Sequence, residues 1–311
     1  MNRLVSISFV AFCLVTCISP AGAQCSRLND QYCGFLLRGS RLLQPINYGK
    51  ANVTTPWSAT SDDRIVGTYD DHGYVVAGFL YDDGVYTSFS DPNQLYKTSA
   101  YGINNNGYIV GSYDGYKYGE YGSFGFLKVG DVYITLDYPL GQFTEAYGIN
   151  DAGVIVGRYG DTQSGPIHGF VYHDGSWKTV DYPSSTGFTM LTSINNNGEM
   201  VGLTDADNQS FSFLLSNGGF TKISHPGAVQ TDVYGINANG VIVGSYWDGT
   251  HTKGFSWTQG QFTDITLPGN PPTLPRGINI SNQIVGFTGN DLLRLRRGLL
   301  FLPSALPRSA H

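Results

Sequence analysis

The chain has 311 residues, of which 14% are charged and 14% aromatic, with 41 glycines and a formal net charge of −6. Disordered chains combine high charge with few aromatic residues, so this composition excludes disorder and favours a folded, turn-rich β protein. Nucleic-acid binding requires a basic surface that displaces counterions from phosphates, so we expect no nucleic-acid partner.

The first 23 residues have the features of a secretory signal peptide. Arg3 supplies a positive charge, the apolar run after it is too short to span a bilayer, and the Ala-Gly-Ala segment at 21–23 fits a signal-peptidase site. We expect cleavage near Ala23 and export to the cell exterior or the periplasm. No later segment is apolar for 18 residues, so we expect no transmembrane segment.

Cleavage would leave two of the four cysteines, Cys25 and Cys33. Two thiols in an oxidising compartment predict one local disulfide, which would staple the N-terminal segment 24–33. Two cysteines without nearby histidines are a poor set of metal ligands, so we expect a disulfide here and no metal site.

A module with the pattern I-N-x-x-G-x-I-V-G recurs along the chain. Its final glycines are Gly67, Gly111, Gly157, Gly202, Gly244 and Gly286. Successive copies lie 44, 46, 45, 42 and 42 residues apart, a period that is typical of repeat folds. The fifth position of the module is Gly, Asp or Asn in every copy. These residues tolerate positive φ best, so we predict a hairpin turn at this position.

A second module, a Gly-Phe hairpin, follows each of the first five copies of the first module. It begins at Gly78, Gly125, Gly169, Ser212 and Gly254. Alternation of aromatic or β-branched residues with polar ones indicates two strands, and a proline 14 residues after each start ends the second of them. Four antiparallel strands in about 44 residues predict a propeller blade. We therefore predict an all-β fold, a β-propeller of about six four-stranded blades.

The chain ends suggest how the ring closes. The segment 34–45 is a Gly-Phe hairpin without a preceding first module, and the last repeat, 276–303, lacks its outer strand. We predict that a strand near 41–45 completes the last blade, so that no sheet edge stays open. Residues 34–37 and 298–301 both resemble the third strand of a blade, so a propeller of seven blades is the alternative. The propeller domain is predicted over 34–303 and a short tail over 304–311.

The two joined modules resemble the HAF-type extracellular repeats of exported bacterial proteins. The tripeptide that names this family is nearest at His168, Gly169 and Phe170, and the other copies keep the aromatic residue without the histidine. The resemblance covers about residues 34–303. It implies an exported, propeller-like repeat protein and implies no activity or catalytic residues.

The loops between the second and third strands vary in length, whereas the turns of the first module do not. Variable loops on a rigid scaffold are where binding usually occurs. The longest loop, predicted over 112–123, carries Tyr113, Tyr116, Tyr118 and Tyr121. These rings either stack on a sugar or peptide ligand or pack over their own loop.

An acidic residue follows each Ile-Val-Gly segment on the same predicted rim. Candidate ligand-binding acids are Asp114, Asp161 and Asp248. Such acids either bind Ca²⁺, act as a pair in glycoside hydrolysis, or only form Asx turns. The sequence contains no known catalytic motif and no histidine at a fixed repeat position. We predict no catalytic residue, no metal ligand and no cofactor, with Ca²⁺ as the open alternative.

These observations favour a secreted, monomeric binding or surface-associated module. A glycan or another cell-surface polymer is the expected partner. The alternative is a secreted hydrolase or lyase of polysaccharide that uses the rim carboxylates. An enzyme should gather unlike polar residues from different blades at one place, and the sequence shows no such asymmetric cluster, so binding is preferred over catalysis.

Overall fold

The structure, a computed structural model, describes residues 33–38, 41–49, 51–71, 75–117, 119–139, 141–162, 165–206, 209–267 and 269–289. Within these ranges all regular structure is β-strand, arranged as six antiparallel four-stranded blades. The innermost strand of each blade contacts the innermost strands of both neighbours, which closes the ring. The predicted β-propeller of six blades is confirmed.

Two strands precede the first complete blade: β1 Gly34–Arg38 and β2 Arg41–Ile46. Blade 1 consists of β3 Val53–Ala59, β4 Ile65–Asp71, β5 Val75–Asp82 and β6 Val85–Phe89. Blade 2 consists of β7 Thr98–Ile103, β8 Ile109–Lys117, β9 Glu120–Val129 and β10 Val132–Leu136. Blade 3 consists of β11 Phe143–Ile149, β12 Ile155–Gly160, β13 Ile167–His173 and β14 Ser176–Val180.

Blade 4 consists of β15 Ser185–Ile194, β16 Met200–Ala206, β17 Gln209–Ser216 and β18 Gly219–Ile223. Blade 5 consists of β19 Gln230–Ile236, β20 Ile242–Trp247, β21 Thr252–Thr258 and β22 Gln261–Ile265. Blade 6 begins with β23 Thr273–Ile278 and β24 Gln283–Thr288. A parallel bridge between Ile167 and Phe188 joins blades 3 and 4.

Blade 6 is completed by the N-terminal strands, in the order β2-β1-β24-β23. Phe35 of β1 lies opposite Gly286 of β24, and β2 forms the outer edge. The predicted closure is therefore confirmed, and the segment 34–37 is the third strand that the sequence left undecided. The competing segment 298–301 lies outside the described residues.

The apolar core lies between the blades. One phenylalanine of the Gly-Phe module is fully buried in every blade: Phe35, Phe79, Phe126, Phe170, Phe213 and Phe255. A single blade would expose its apolar faces to water. Stacking six blades around the propeller buries the phenylalanine side chains between them. The hairpin position predicted to need positive φ has it in all six copies, at Asp63, Gly107, Gly153, Gly198, Gly240 and Asn282.

The glycine that ends each Ile-Val-Gly segment is crowded from within its own blade. A Cβ atom on Gly157 would collide with the carbonyl oxygen of Glu145 on β11 and would lie 2.8 Å from the Phe170 ring on β13. A glycine at the same position of every copy suggests a crowded contact between blades, but this expectation is wrong, because the atoms that a Cβ would meet belong to the same blade. The close approach between blades occurs at the Gly of Gly-Ile-Asn, since a Cβ on Gly148 would lie 3.0 Å from the Cα of Ser193 in blade 4.

The asparagine of the first module links neighbouring blades. Oδ1 of Asn150 accepts a hydrogen bond from the N–H of Val154 (3.0 Å), which closes the hairpin turn, while its Nδ2 donates to the carbonyl of Asn195 in the next blade (3.2 Å). The same bond to the next blade is made by Asn104, Asn150, Asn195, Asn237 and Asn279. We call this set the asparagine belt, and it lies on the turn face of the propeller.

Blade 1 has Thr60 at the belt position. Its hydroxyl accepts a hydrogen bond from the N–H of Arg64 (3.1 Å) but donates locally, to Asp62. A threonine has no second donor that could reach the next blade. At this junction Ser61 donates from its N–H and its hydroxyl to Oδ1 of Asn105, at 2.9 and 2.8 Å.

Candidate functional site

The innermost strands each carry a β-bulge that directs one side chain into the centre of the ring. In β11, for example, Ala146 pairs with Gly157 and Gly148 pairs with Val156, so Tyr147 between them has no partner across the ladder. Bulges of this kind re-aim side chains. The six residues at this position line a central cavity and form what we call the collar: Trp57, Tyr101, Tyr147, Thr192, Tyr234 and Arg276.

Ring contacts run around most of the collar. The rings of Trp57 and Tyr101 lie 5.0 Å apart at 84°, and those of Tyr101 and Tyr147 lie 4.9 Å apart at 38°. The guanidinium carbon of Arg276 is 4.7 Å from the Trp57 ring and 3.7 Å from the Tyr234 ring. Thr192 interrupts the series between Tyr147 and Tyr234.

The cavity has a volume of about 950 Å³. It extends from the asparagine belt on the turn face to the opposite, variable-loop face, where its wall includes Lys97 just before β7 and Gln230 at the start of β19. Small-molecule sites in proteins typically enclose about 300–1,000 Å³, so the space suits a ligand of one or a few rings.

A buried ion pair lies beside the collar. Nη2 of Arg158 is 2.5 Å from Oε2 of Glu145, and the hydroxyl of Tyr147 donates to the same oxygen at 2.6 Å. Burial by itself raises the pKa of Glu145, but the charge of Arg158, the hydrogen bond from Tyr147 and the charge of Lys97 together hold that pKa below its ordinary value. Burial raises the pKa of Tyr147 well above its ordinary value. At neutral pH this carboxylate is ionised and the phenol is protonated.

Other carboxylates in the cavity wall accept hydrogen bonds from their neighbours. Nε2 of Gln230 donates to Asp232 at 3.1 Å, and the hydroxyl of Ser210 donates to Asp205 at 2.5 Å. On the turn face, the Asp151 carboxylate accepts hydrogen bonds from the backbone N–H and from Nδ2 of Asn105, at 2.8 and 2.7 Å. Nδ2 of Asn196 also donates to Asp151, at 2.7 Å.

The cavity therefore gathers unlike polar groups from five blades: Lys97, Glu145, Asp205, Asp232 and Arg276. From the sequence we expected no cluster of unlike polar residues from different blades, and that expectation is wrong. Sequence reasoning missed these residues because it treated the innermost strands as identical copies. The available signal was the departure from tyrosine at one register position, where Trp57, Thr192 and Arg276 occur.

The tyrosines predicted on the rim divide between surface and core. Tyr116 is 63% exposed, and its ring lies 5.7 Å from that of Tyr121. Tyr96, from the preceding connector, lies 6.4 Å from Tyr121 and is 57% exposed. Tyr113, in contrast, is 5% exposed and belongs to the apolar core between blades. Tyr118 lies outside the described residues.

Tyr113 is buried because the predicted loop 112–123 is mostly strand. β8 continues to Lys117 and β9 begins at Glu120, so the two strands form a long hairpin. Tyr113 therefore takes an inward-facing strand position, where its hydroxyl lies 3.1 Å from that of Thr135.

The predicted rim acids come from three different blades, with Asp114 inside β8 and Asp161 and Asp248 in loops, and each has local partners. Oδ1 of Asp248 accepts the N–H groups of Thr250 and His251, both at 2.8 Å, and Lys253 lies 2.9 Å from Oδ2. Of the three roles considered for the rim acids, Asp248 therefore has that of an Asx turn, in which the carboxylate binds the backbone of its own loop. The Thr250 hydroxyl also donates to Oδ1, at 2.7 Å, and this bond together with the others holds the pKa of Asp248 well below its ordinary value.

Asp161 lies 3.4 Å from Nε2 of His168, whose Nδ1 is 2.8 Å from Asp181. Partial burial alone would lower the pKa of His168, but the carboxylates of Asp181 and Asp161 raise it above its ordinary value. Burial raises the pKa of Asp114, and the nearby Lys97 only partly opposes this effect.

None of these rim residues lines the central cavity. Across the described ranges, no group of three or more His, Cys, Asp or Glu side chains is arranged to hold a metal ion. Cys33 is fully buried at the start of the described chain, and Cys25 lies outside it. The disulfide thus stays a prediction. Within the described chain, no helix combines the length and apolar character needed to cross a bilayer.

No family model and no curated protein matches the chain. Among solved structures it is similar to TolB from Acinetobacter baumannii, with a TM-score of 0.52 and 13% identity over 83% of this chain and 63% of TolB. A fucose-disaccharide complex of the Aleuria aurantia lectin gives a TM-score of 0.48 and 12% identity, over 75% of this chain and 87% of the lectin.

The β-propeller domain of the Trilobed protease from Pyrococcus furiosus gives a TM-score of 0.49 and 10% identity, over 75% of this chain and 74% of that domain. At such low identity the likeness to TolB supports the propeller fold and does not extend to a ligand or an activity. The resemblance to HAF-type repeats stays a prediction.

Proposed function

We propose that this protein is a secreted, monomeric, non-catalytic binding propeller that holds a sugar unit of a polysaccharide or cell-surface polymer in its central cavity. The observation that carries the proposal is the collar, where four aromatic rings face one cavity of about 950 Å³. Flat aromatic faces pack against the C–H faces of sugar rings, while nearby amides and carboxylates bind hydroxyl groups.

The position of the cavity supports binding of a chain end or a short oligosaccharide. Rigid strands, and not loops, supply the collar, so its rings are held in place before a ligand arrives. A preformed site loses less conformational entropy on binding than a flexible one. The exposed rings of Tyr96 and Tyr116, with the half-buried ring of Tyr121 between them, offer a second contact surface for a longer polymer.

A hydrolase or lyase remains the alternative function, and it requires carboxylates in acid and base roles. Glu145 is poorly suited to donate a proton, because its pKa is lowered by the ion pair with Arg158. The rim acids Asp114, Asp161 and Asp248 are supplied by separate blades. The gathering of polar groups in the cavity is the observation that favours this alternative.

A matched pair of Tyr→Ala variants tests the location of binding. The unmodified chain is screened against an array of bacterial and plant glycans, and the affinity of a positive glycan is then measured by calorimetry. We expect Tyr101→Ala to weaken binding by about tenfold or more, because it removes one stacking surface worth roughly 1–3 kcal/mol. Tyr116→Ala, on the rim, should leave the affinity within about twofold for a short ligand.

Thermal unfolding of both variants shows whether each has folded. If Tyr116→Ala lost affinity tenfold and Tyr101→Ala lost none, the binding site would lie on the rim and not in the cavity. Absence of binding to every glycan would contradict the proposed function. Release of shortened sugars during incubation, lost in a variant of one cavity carboxylate, would establish the enzymatic alternative.

A further inference from the structure

Arg276 breaks the repeat at the collar. The equivalent position is tryptophan or tyrosine in four of the six blades, and arginine in blade 6. A guanidinium carries a permanent charge, which an interior position accepts only when something compensates it. Departures from a local rule that carry such a penalty concentrate at functional sites.

Aromatic rings surround the guanidinium of Arg276. Its carbon lies 3.7 Å from the ring centre of Tyr234, 4.7 Å from that of Trp57 and 5.1 Å from that of Phe287. The residue is 8% exposed, and its Nε atom is buried without a hydrogen-bond partner. Within the described chain the guanidinium has no carboxylate partner. Buried polar groups normally have partners, so the arrangement is incomplete without an acceptor.

The acids of the cavity wall do not fill this role. Each of them already has an interaction partner: Asp70, Glu145, Asp151, Asp205 and Asp232. Of the other two cations in the wall, Arg158 is paired with Glu145, and Lys97 lies in the electrostatic field of the same carboxylate. Arg276 is therefore the cavity cation whose donors are available to a ligand.

We infer that Arg276 is the receptor for a carboxylate on the ligand, and that the cavity binds an acidic sugar of the uronic acid class. The inference rests on the proposed function and specifies its ligand. A planar guanidinium presents parallel N–H donors that match the two oxygens of a carboxylate, which favours a carboxylate over a single-oxygen acceptor. With its carboxylate at Arg276, the sugar ring would lie against the rings of Trp57 and Tyr101.

The test compares two probes that differ only in the carboxylate, methyl glucuronide and methyl glucoside, by calorimetry with the full chain. We expect the glucuronide to bind about tenfold or more tightly than the glucoside, as charge-assisted hydrogen bonds contribute more than neutral ones. Arg276→Gln should remove that preference, so that the glucuronide and the glucoside bind with affinities within about twofold of each other. Arg276→Lys should keep part of the preference, because it retains the charge and loses the paired donors.

Lys97→Gln is the matched control, because it removes another positive charge from the same wall. It should preserve the preference for the glucuronide, and the thermal midpoint of each variant reports whether it has folded. If Arg276→Gln fails to fold, Arg276→Lys decides the question. Equal affinity of the unmodified chain for both probes would overturn the inference and leave the proposed function intact. If glucose sulfate or tetramethylammonium bound more tightly than the glucuronide, that result would also overturn the inference. Failure to bind any sugar, neutral or acidic, would overturn both.

Discussion

The glycine at the end of each Ile-Val-Gly segment is required by a close approach within the blade. Beside the bulge, a carbonyl oxygen of the innermost strand lies close to this glycine, and the buried phenylalanine of the third strand packs against the same position. At Gly157 these neighbours are the carbonyl of Glu145 and the ring of Phe170. The same small residue therefore permits both the bulge and the packing of the core.

Replacing Gly157 with alanine should destabilise the protein by about 1–3 kcal/mol, because the new methyl group collides with backbone that cannot move independently. Gly219→Ala is the matched control. A Cβ there would have its nearest neighbour, the Ser216 carbonyl oxygen, at 3.6 Å. The control should change the stability by no more than about 0.5 kcal/mol. Urea unfolding measures both, and equal midpoints would contradict the close approach.

At the scale of the strand and its turn, each belt asparagine performs two tasks. Its oxygen closes the hairpin of its own blade and its nitrogen binds the next blade, so turn geometry and blade spacing are set by one side chain. Asn150 illustrates both, through Val154 and Asn195. The belt thus explains why five of the six copies of the module carry asparagine at this position.

Asn150→Thr should reproduce the situation of Thr60 in blade 1, with the turn closed and the link to the next blade lost. We expect a loss of about 0.5–1.5 kcal/mol for this one hydrogen bond. Asn150→Ala should lose more, about 1–3 kcal/mol, because the N–H of Val154 is then also left without its partner. Urea unfolding reports these differences.

Asn106→Ala is the control for the belt variants. Its Nδ2 donates to the carbonyl of Asp151 at 3.0 Å, at an exposed site where water replaces the lost bond. We expect little change in stability. A control that destabilises the protein as much as Asn150→Ala would show that the belt has no special role.

At the scale of the whole molecule, the ring is closed by strands from the two ends of the repeat array. β1 pairs with β24 along five residue pairs, from Gly34–Phe287 to Arg38–Gln283. Phe35, Leu37 and Ile46 are buried by this closure. Pairing with β1 covers the edge of β24, which would otherwise be available for pairing with another chain.

A chain that begins at Asn47 lacks β1 and β2 and exposes the edge of β24. We expect it to unfold at lower urea concentration, because it lacks part of the apolar core of blade 6. We also expect it to self-associate, because an open strand edge and an uncovered apolar face both promote association between chains. A chain that begins at Gly34 is the control, because it retains both strands. Size-exclusion chromatography and urea unfolding compare the two chains. A monomeric, equally stable chain from Asn47 would contradict the role of the closure.

Much of the fold was predictable because the repeat signals are local. Glycine, asparagine and aspartate at the fifth module position report positive φ, a property of the residue itself. Alternating residues report strands for the same reason. The fate of Tyr113 was not predictable in this way, because it depended on how far β8 extended beyond the predicted strand end.

The sequence by itself determined the repeat, its four strands and the six hairpin turns, because these follow from preferences that act over a few residues. Only the tertiary structure decided which segment closes blade 6 and which side chains meet at the centre. Ring closure brings Asn279 within 2.9 Å of the Thr60 carbonyl, 219 residues away in the chain. It likewise brings Arg276 to Trp57. No local preference encodes such a contact, because it results from the packing of all six blades.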